Sequence, residues 1–175
     1  MTLETLKSFC SKDGYLSDRY KWTKEPFQIG ELIAATDGHI LIAANLLAQQ
    51  YGKVQVLTSP ADIQNITSWL AAEIPNTEYS WEHCVGFLGE PDEIDGYAAH
   101  PMMFHGYRVD RDKLRKIMMA GNTPYRFSVT AKHHVSTGHR FNFLFPDFRA
   151  MLMGMLHPHK DDPRYEPRAV NAVTA

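Results

Sequence analysis

The most regular pattern of apolar and polar positions lies near the middle of the first half of the chain. Leu32-Ile33-Ala34-Ala35-Thr36 and Ile40-Leu41-Ile42-Ala43-Ala44 flank Asp37-Gly38-His39. Two apolar runs across Asp-Gly predict a tight hairpin, because that dipeptide tolerates the positive φ wanted at both central positions of such a turn. The flanks are apolar at nearly every position rather than at alternate ones, so at least one strand is expected to be buried on both faces. Thr36 and His39 fall at the strand ends, where polar side chains are expected to reach outward.

Upstream, Leu3, Leu6, Phe9 and Cys10 recur at helical spacing behind Thr2, a good N-cap, and Asp13-Gly14 closes that short helix. Tyr15 to Trp22 alternates loosely and carries Asp18, Arg19 and Lys21, which predicts an exposed strand or an edge, broken by Pro26. Phe27-Gln28-Ile29 then leads through Gly30-Glu31 into the hairpin. Downstream, Lys53 to Leu57 predicts a strand. Ser59-Pro60 predicts a helix start, with Ile63, Ile66, Trp69, Leu70 and Ile74 in period until Pro75.

From about residue 75 to 104 the period fails and turn residues dominate, which predicts an insertion with a small hairpin of its own. The pattern resumes at Phe104 to Val109. Asp110 is placed to cap a helix that runs to Gly121, with Leu114, Ile117 and Met118 facing inward. Residues 125–130, 140–145 and 149–155 predict three further strands, with turns at Gly138 and Pro146-Asp147. His157 to Ala175 is rich in Pro and charge without apolar period, the composition of a flexible tail. The organisation is one domain over 1–156, with the insertion at about 75–104 and the tail at 157–175. Runs of strands punctuated by single helices predict an α+β fold, an antiparallel sheet with helices on one face.

Composition changes this picture little. A chain of 175 residues has room for one ordinary domain, and 44 % hydrophobic and 22 % charged residues are usual for a globular protein. A net charge of −2 provides no global pull toward nucleic acid or anionic lipid, so any such contact needs a local patch. Two distant cysteines, Cys10 and Cys84, make no disulfide framework and suit a reducing cytoplasm. The N-terminus lacks a basic region followed by a long apolar run, and the apolar stretch from Ile40 to Ala48 is too short to span a bilayer. The expectation is a soluble cytoplasmic protein without a membrane partner.

The Thr36-Asp37-Gly38-His39 string resembles the Ala-Thr-Asp-Gly-His-Arg-Leu-Ala signature of the bacterial sliding clamp, the beta subunit of the replicative DNA polymerase. Val54 to Pro60 with its helix, and Tyr107-Arg108-Val109-Asp110 with its helix, are similar to strand–helix units of that family. Ala150-Met151-Leu152-Met153-Gly154-Met155 is similar to its closing Val-Val-Met-Pro-Met strand. Ile40 stands where the family has Arg, and Gly154 where it has Pro.

The resemblance implies a DNA-clamp-like fold of repeated helix-plus-antiparallel-strand units, in a small single-domain clamp-like protein of phage or mobile-element type. It also implies a groove for a protein partner or short peptide, at Thr36, Gly38, His39, Leu41, Met151 and Met153. An apolar, Met-lined groove adapts to varied side chains, and a Thr or His at its rim can orient a peptide. Clamps turn basic helices toward DNA, and here Arg111, Lys113, Arg115 and Lys116 form such a cluster, suited to phosphates rather than to base sequence. The implied setting is DNA replication or phage–host interference; DNA contact and homo-oligomer formation stay open.

Other chemistry is thin. Nine histidines suggest metal, with His83-Cys84, His100, His105, His133-His134 and His139 as candidates. A structural zinc wants four closely spaced ligands, and Phe87 occupies the position where a second Cys would complete a Cys-x-x-Cys pair. No phosphate loop, Gly-x-Ser-x-Gly elbow or His-Glu-x-x-His helix occurs. The sequence therefore predicts a non-enzymatic binding protein without cofactor or metal. Two alternatives are a metal-dependent enzyme using the histidine-rich second half and a non-sequence-specific DNA-binding module.

Overall fold

A computed structural model describes residues 1–11, 18–45, 54–80, 101–105, 107–121, 124–131 and 139–154. Asp13-Gly14, most of the expected insertion and the tail lie outside the described residues. The chain forms α1 (Leu3–Ser8), a 3₁₀ segment (Asp18–Lys24), β1 (Phe27–Ile29), β2 (Leu32–Thr36), β3 (Ile40–Asn45), β4 (Gln55–Val56) and α2 (Pro60–Leu70). It continues with β5 (Pro101–Phe104), β6 (Tyr107–Asp110), α3 (Arg111–Gly121), β7 (Arg126–Ala131), β8 (His139–Leu144) and β9 (Phe148–Met153). The fold is α+β. Among the described residues seven strands make one sheet in the order β4-β1-β2-β3-β9-β8-β7, and β5 and β6 form a separate hairpin. A helix followed in sequence by three antiparallel strands thus occurs twice, as α1 with β1–β3 and α3 with β7–β9, and the two sets join at β3 and β9.

Alternation along the strands divides the core between the two faces of the sheet. On the first face Ile33, Ile42, Phe141, Phe143, Ala150 and Leu152 pack with Leu6 and Phe9 of the α1 region and with Leu114, Ile117 and Met118 of α3. On the second face Phe27, Ala34, Leu41, Ala43 and Met151 pack with Ile66 of α2, flanked by half-buried Ile63, Trp69 and Leu70. Ile40 through Ala44 are all buried, as a strand apolar at every position requires. This corrects the expectation of helices on one face: α2 lies opposite α1 and α3. The reason is that β2, β3 and β9 are apolar on both sides, and an amphipathic helix can seal only one. The sheet is also mixed rather than wholly antiparallel, because β4 pairs parallel to β1.

Three boundaries differ from expectation. Residues 18–24 form a 3₁₀ segment and not a strand; over so few residues, periods of two and three are hard to separate. Trp22 meets the Phe27 ring edge-on at 4.9 Å, and its carbonyl accepts from Gln55 Nε2 at 2.7 Å. Of the expected Lys53–Leu57 strand, Lys53 lies outside the described residues and the strand spans Gln55–Val56. The α2 helix ends at Leu70, before Ile74, because Arg149 donates to the Leu70 carbonyl and satisfies the helix end from a distant strand. Ile74, preceding Pro75, is in any case disfavoured in helical geometry.

The helix starts match the sequence. Thr5 N donates to Thr2 Oγ1 at 3.1 Å and Asp62 N to Ser59 Oγ at 3.4 Å, while Asp112 N and Lys113 N donate to Asp110 Oδ1 at 3.0 and 3.2 Å. Gly121 is the last residue of α3, as expected, and a Cβ there would overlap the Phe145 ring. That ring is 2 % exposed and stacked on Phe148 at 4.3 Å, so it has no room to retreat. Gly121→Ala is therefore expected to lower stability in urea unfolding by about 2 kcal/mol, although alanine favours a helix over glycine by about 1 kcal/mol. Unchanged or raised stability would show that Phe145 can move. Among the described residues no helix is long and apolar enough to cross a membrane.

Candidate functional site

The β2–β3 turn is built by its side chains. The Asp37 carboxylate accepts the backbone N–H of His39 and of Ile40, each at 2.8 Å, and Thr36 Oγ1 accepts from Gly38 N at 3.0 Å while donating to the Ile40 carbonyl. Gly38 takes φ of +91°, and Asp37 does not share the positive φ expected of both residues. The second Asp37 oxygen accepts from Lys113 Nζ at 2.7 Å, which ties the turn to α3. Burial pushes the Asp37 carboxyl up, but the Lys113 ammonium and the two amides together outweigh it and hold the group below its ordinary value.

The six residues expected to line a groove separate into two groups. Leu41 and Met151 face each other across β3 and β9 and are buried with Ile66 beneath α2. Thr36 is buried with its hydroxyl bonded inside the turn, so it does not reach outward. These three are floor and frame, because α2 covers the centre of this face. Gly38 and His39 are exposed and Met153 is half-buried. Met153 N donates to the His39 carbonyl at 2.8 Å, which pairs His39 with Met153 at the end of β3 and β9 that α2 does not cover.

Beside this end the register sets nine side chains of β7, β8 and β9 on the second face. They form the rows Thr130–Arg140–Met153, Ser128–Asn142–Met151 and Arg126–Leu144–Arg149. The Arg140 guanidinium lies over the Trp69 ring at 5.7 Å, a cation–π contact with α2. Burial lowers the Arg140 pKa from its ordinary value, though an arginine keeps its charge. Asn142, 3 % exposed, donates to Thr130 Oγ1 at 3.1 Å and Ser128 Oγ at 3.4 Å. Sequence reasoning missed Trp69, Arg140 and Asn142 as site residues. For Arg140 and Asn142 the signal was the alternation Arg140-Phe141-Asn142-Phe143, which sets the polar residues on the face opposite the phenylalanines; nothing local to Trp69 marked it.

The four basic residues of α3 do not present a common face. Arg111 is buried with Nη2 3.3 Å from Asp112 Oδ1, and Lys113 is held by Asp37. Lys116 donates to the Ser8 carbonyl and sits over the Phe9 ring at 4.7 Å, while Arg115 is exposed. Among the described residues no three His, Cys, Asp or Glu side chains stand together in a metal-binding group. His105 packs against Phe104 at 4.6 Å and His139 against Tyr107 at 4.5 Å. His83, Cys84, His100, His133 and His134 lie outside the described residues. Cys10 is buried and its thiol is pushed up to about 11, chiefly by burial, which leaves it a poor nucleophile near neutrality. No family model, curated protein or solved structure matches the chain.

Proposed function

We propose that this chain is a non-enzymatic, clamp-like binding protein of phage or mobile-element type that holds an extended segment of a protein partner, in the setting of DNA replication or its interference. The clamp-like part of the reading is supported by the helix-and-three-strand order that occurs twice, with α1 and α3 on one face, and by the Thr36–His39 string at the hairpin. The observation that carries the binding part is the half-buried Arg140 lying over Trp69, with half-buried Met153 as its cross-strand neighbour and exposed His39 paired to Met153 through the backbone. Tryptophan, arginine and methionine are the residue types that concentrate in the cores of protein interfaces, and a flexible thioether adapts to varied apolar partners. Leu41 and Met151 serve as the rigid floor on which this contact rests.

The test is to pan a displayed library of short linear peptides on the full chain and to measure the enriched peptides against Met153→Glu and His39→Ala. Met153→Glu is expected to weaken binding by tenfold or more, about 1.4 kcal/mol or greater, and His39→Ala to weaken it less. Absence of enrichment, or equal binding by wild type and both variants, would end the reading.

A further inference from the structure

The second face of the β7–β8–β9 half carries three arginines, Arg126, Arg140 and Arg149, and no carboxylate at any of its nine positions. Each arginine is contacted by a neutral group of α2 or the segment after it. Arg149 donates to the Leu70 carbonyl, Arg126 donates to Asn76 Oδ1 at 2.6 Å, and Arg140 lies on the Trp69 ring. Glu73 and Glu78 on that same segment are exposed and pair with none of the three among the described residues. Arg140 has no hydrogen bond or ion pair to any described residue, and its Nε is buried without an acceptor. A half-buried guanidinium without an anion is an unusual arrangement, since desolvating it costs free energy that a carboxylate partner returns.

We propose that the partner segment is acidic, placing an Asp or Glu carboxylate on Arg140 and a neighbouring apolar side chain against Met153. This deepens the binding reading above and rests on it. The Arg140 fork matches a carboxylate in two-point geometry. Cross-strand neighbours such as Arg140 and Met153 are close enough to be met by alternate side chains of one extended peptide. Arg140 lies on the Trp69 indole with Met153 as its cross-strand neighbour, an arrangement suited to a compact carboxylate beside an apolar group. A nucleic-acid backbone wants a track of exposed cations, whereas these three arginines are half-buried and separately engaged.

The experiment takes fluorescein-labelled peptides from the panning above and pairs each acidic peptide with its Asn or Gln counterpart. The full-length wild type is expected to prefer the acidic member about tenfold, and Arg140→Gln to abolish that preference while leaving the apolar contribution read through Met153→Glu intact. Arg140→Glu should reverse the preference toward Lys-containing peptides, and thermal melts of both variants establish that they fold. Discrimination unchanged in Arg140→Gln overturns the proposal. So do two other results: Arg140-dependent binding of a single-stranded DNA 20-mer in place of peptide, and Arg140-dependent self-association, which would make a second copy the occupant. Met153-dependent peptides without acidic preference would remove this inference alone, and no enriched peptide at all would remove the binding reading beneath it.

Discussion

Alanine in place of Asp37 is expected to lower stability by about 3 kcal/mol. The side chain accepts from two backbone amides of the turn and from Lys113, and the ion-paired groups are only 24 % and 27 % exposed. Removing the carboxylate leaves those amides and a partly buried ammonium without their acceptor. Asparagine retains an oxygen for the amides, so Asp37→Asn should lose less, about 1–2 kcal/mol. The pH dependence has a defined sign. The folded-state pKa of Asp37 lies below the ordinary 3.8, so its stabilisation is complete above that value and disappears as pH falls through the lower folded value. Urea unfolding across acid pH should therefore show wild type and Asp37→Asn well separated near neutrality and converging below about pH 4. A separation that persists undiminished to the acid limit would show that ionisation of Asp37 contributes nothing. Because the turn carries His39, Asp37→Ala should also weaken capture of peptides at the Met153 end.

The second large effect belongs to the aromatic layer beneath α3. Phe143 is fully buried, with ring centroids of Phe104 and Tyr125 at 6.1 Å, Phe127 at 6.3 Å and Phe141 at 6.5 Å. Phe143→Ala is expected to cost about 4 kcal/mol, the transfer free energy of the ring plus the cavity left among side chains that are themselves wedged by neighbours. Phe143→Leu, which refills most of the space, should cost about 1 kcal/mol. Against a total stability of about 5–15 kcal/mol usual for a domain, that loss is a large fraction of the whole. The measurement is the urea midpoint at constant slope. A loss for Phe143→Ala no larger than that for Phe143→Leu would show that the layer collapses around the missing ring.

Much of the architecture was legible in residues alone. Thr2, Ser59 and Asp110 announced helix starts because a cap needs only a side-chain oxygen within a few residues, a local condition. The β2–β3 hairpin was legible for the same reason, and the continuous apolar run of β3 correctly indicated burial on both faces. The helix end at Leu70 was not legible, because Arg149, which satisfies it, comes from a strand 79 residues away. The 3₁₀ segment at Asp18–Lys24 was misjudged because its few apolar residues fit more than one period.

The candidate site shows the same division more sharply. Its hairpin string was visible in the sequence, and a backbone hydrogen bond pairs Met153 with His39 in the sheet. Thr36, Leu41 and Met151 were placed in a groove because the sequence specifies which face a side chain takes but not what covers that face. The amphipathic pattern of α2 requires that it bury Ile66, and Ile66 finds its partners on the second face only in the assembled sheet. Once α2 is there, Leu41 and Met151 become core, and Trp69 is carried over β8, where it meets Arg140.

What the sequence by itself determined is therefore local: most of the helices and strands, where the helices begin, and which side chains alternate toward which side. Those properties follow from backbone preference and from periods of two and 3.6 residues, which act between near neighbours. The tertiary structure alone decided that β3 and β9 are adjacent, that α2 lies opposite α1 and α3, and that three arginines share nine strand positions of one face, none of them a carboxylate. Strand pairing and helix docking join residues distant in the chain, and their free energies depend on surfaces that exist only after the elements have formed.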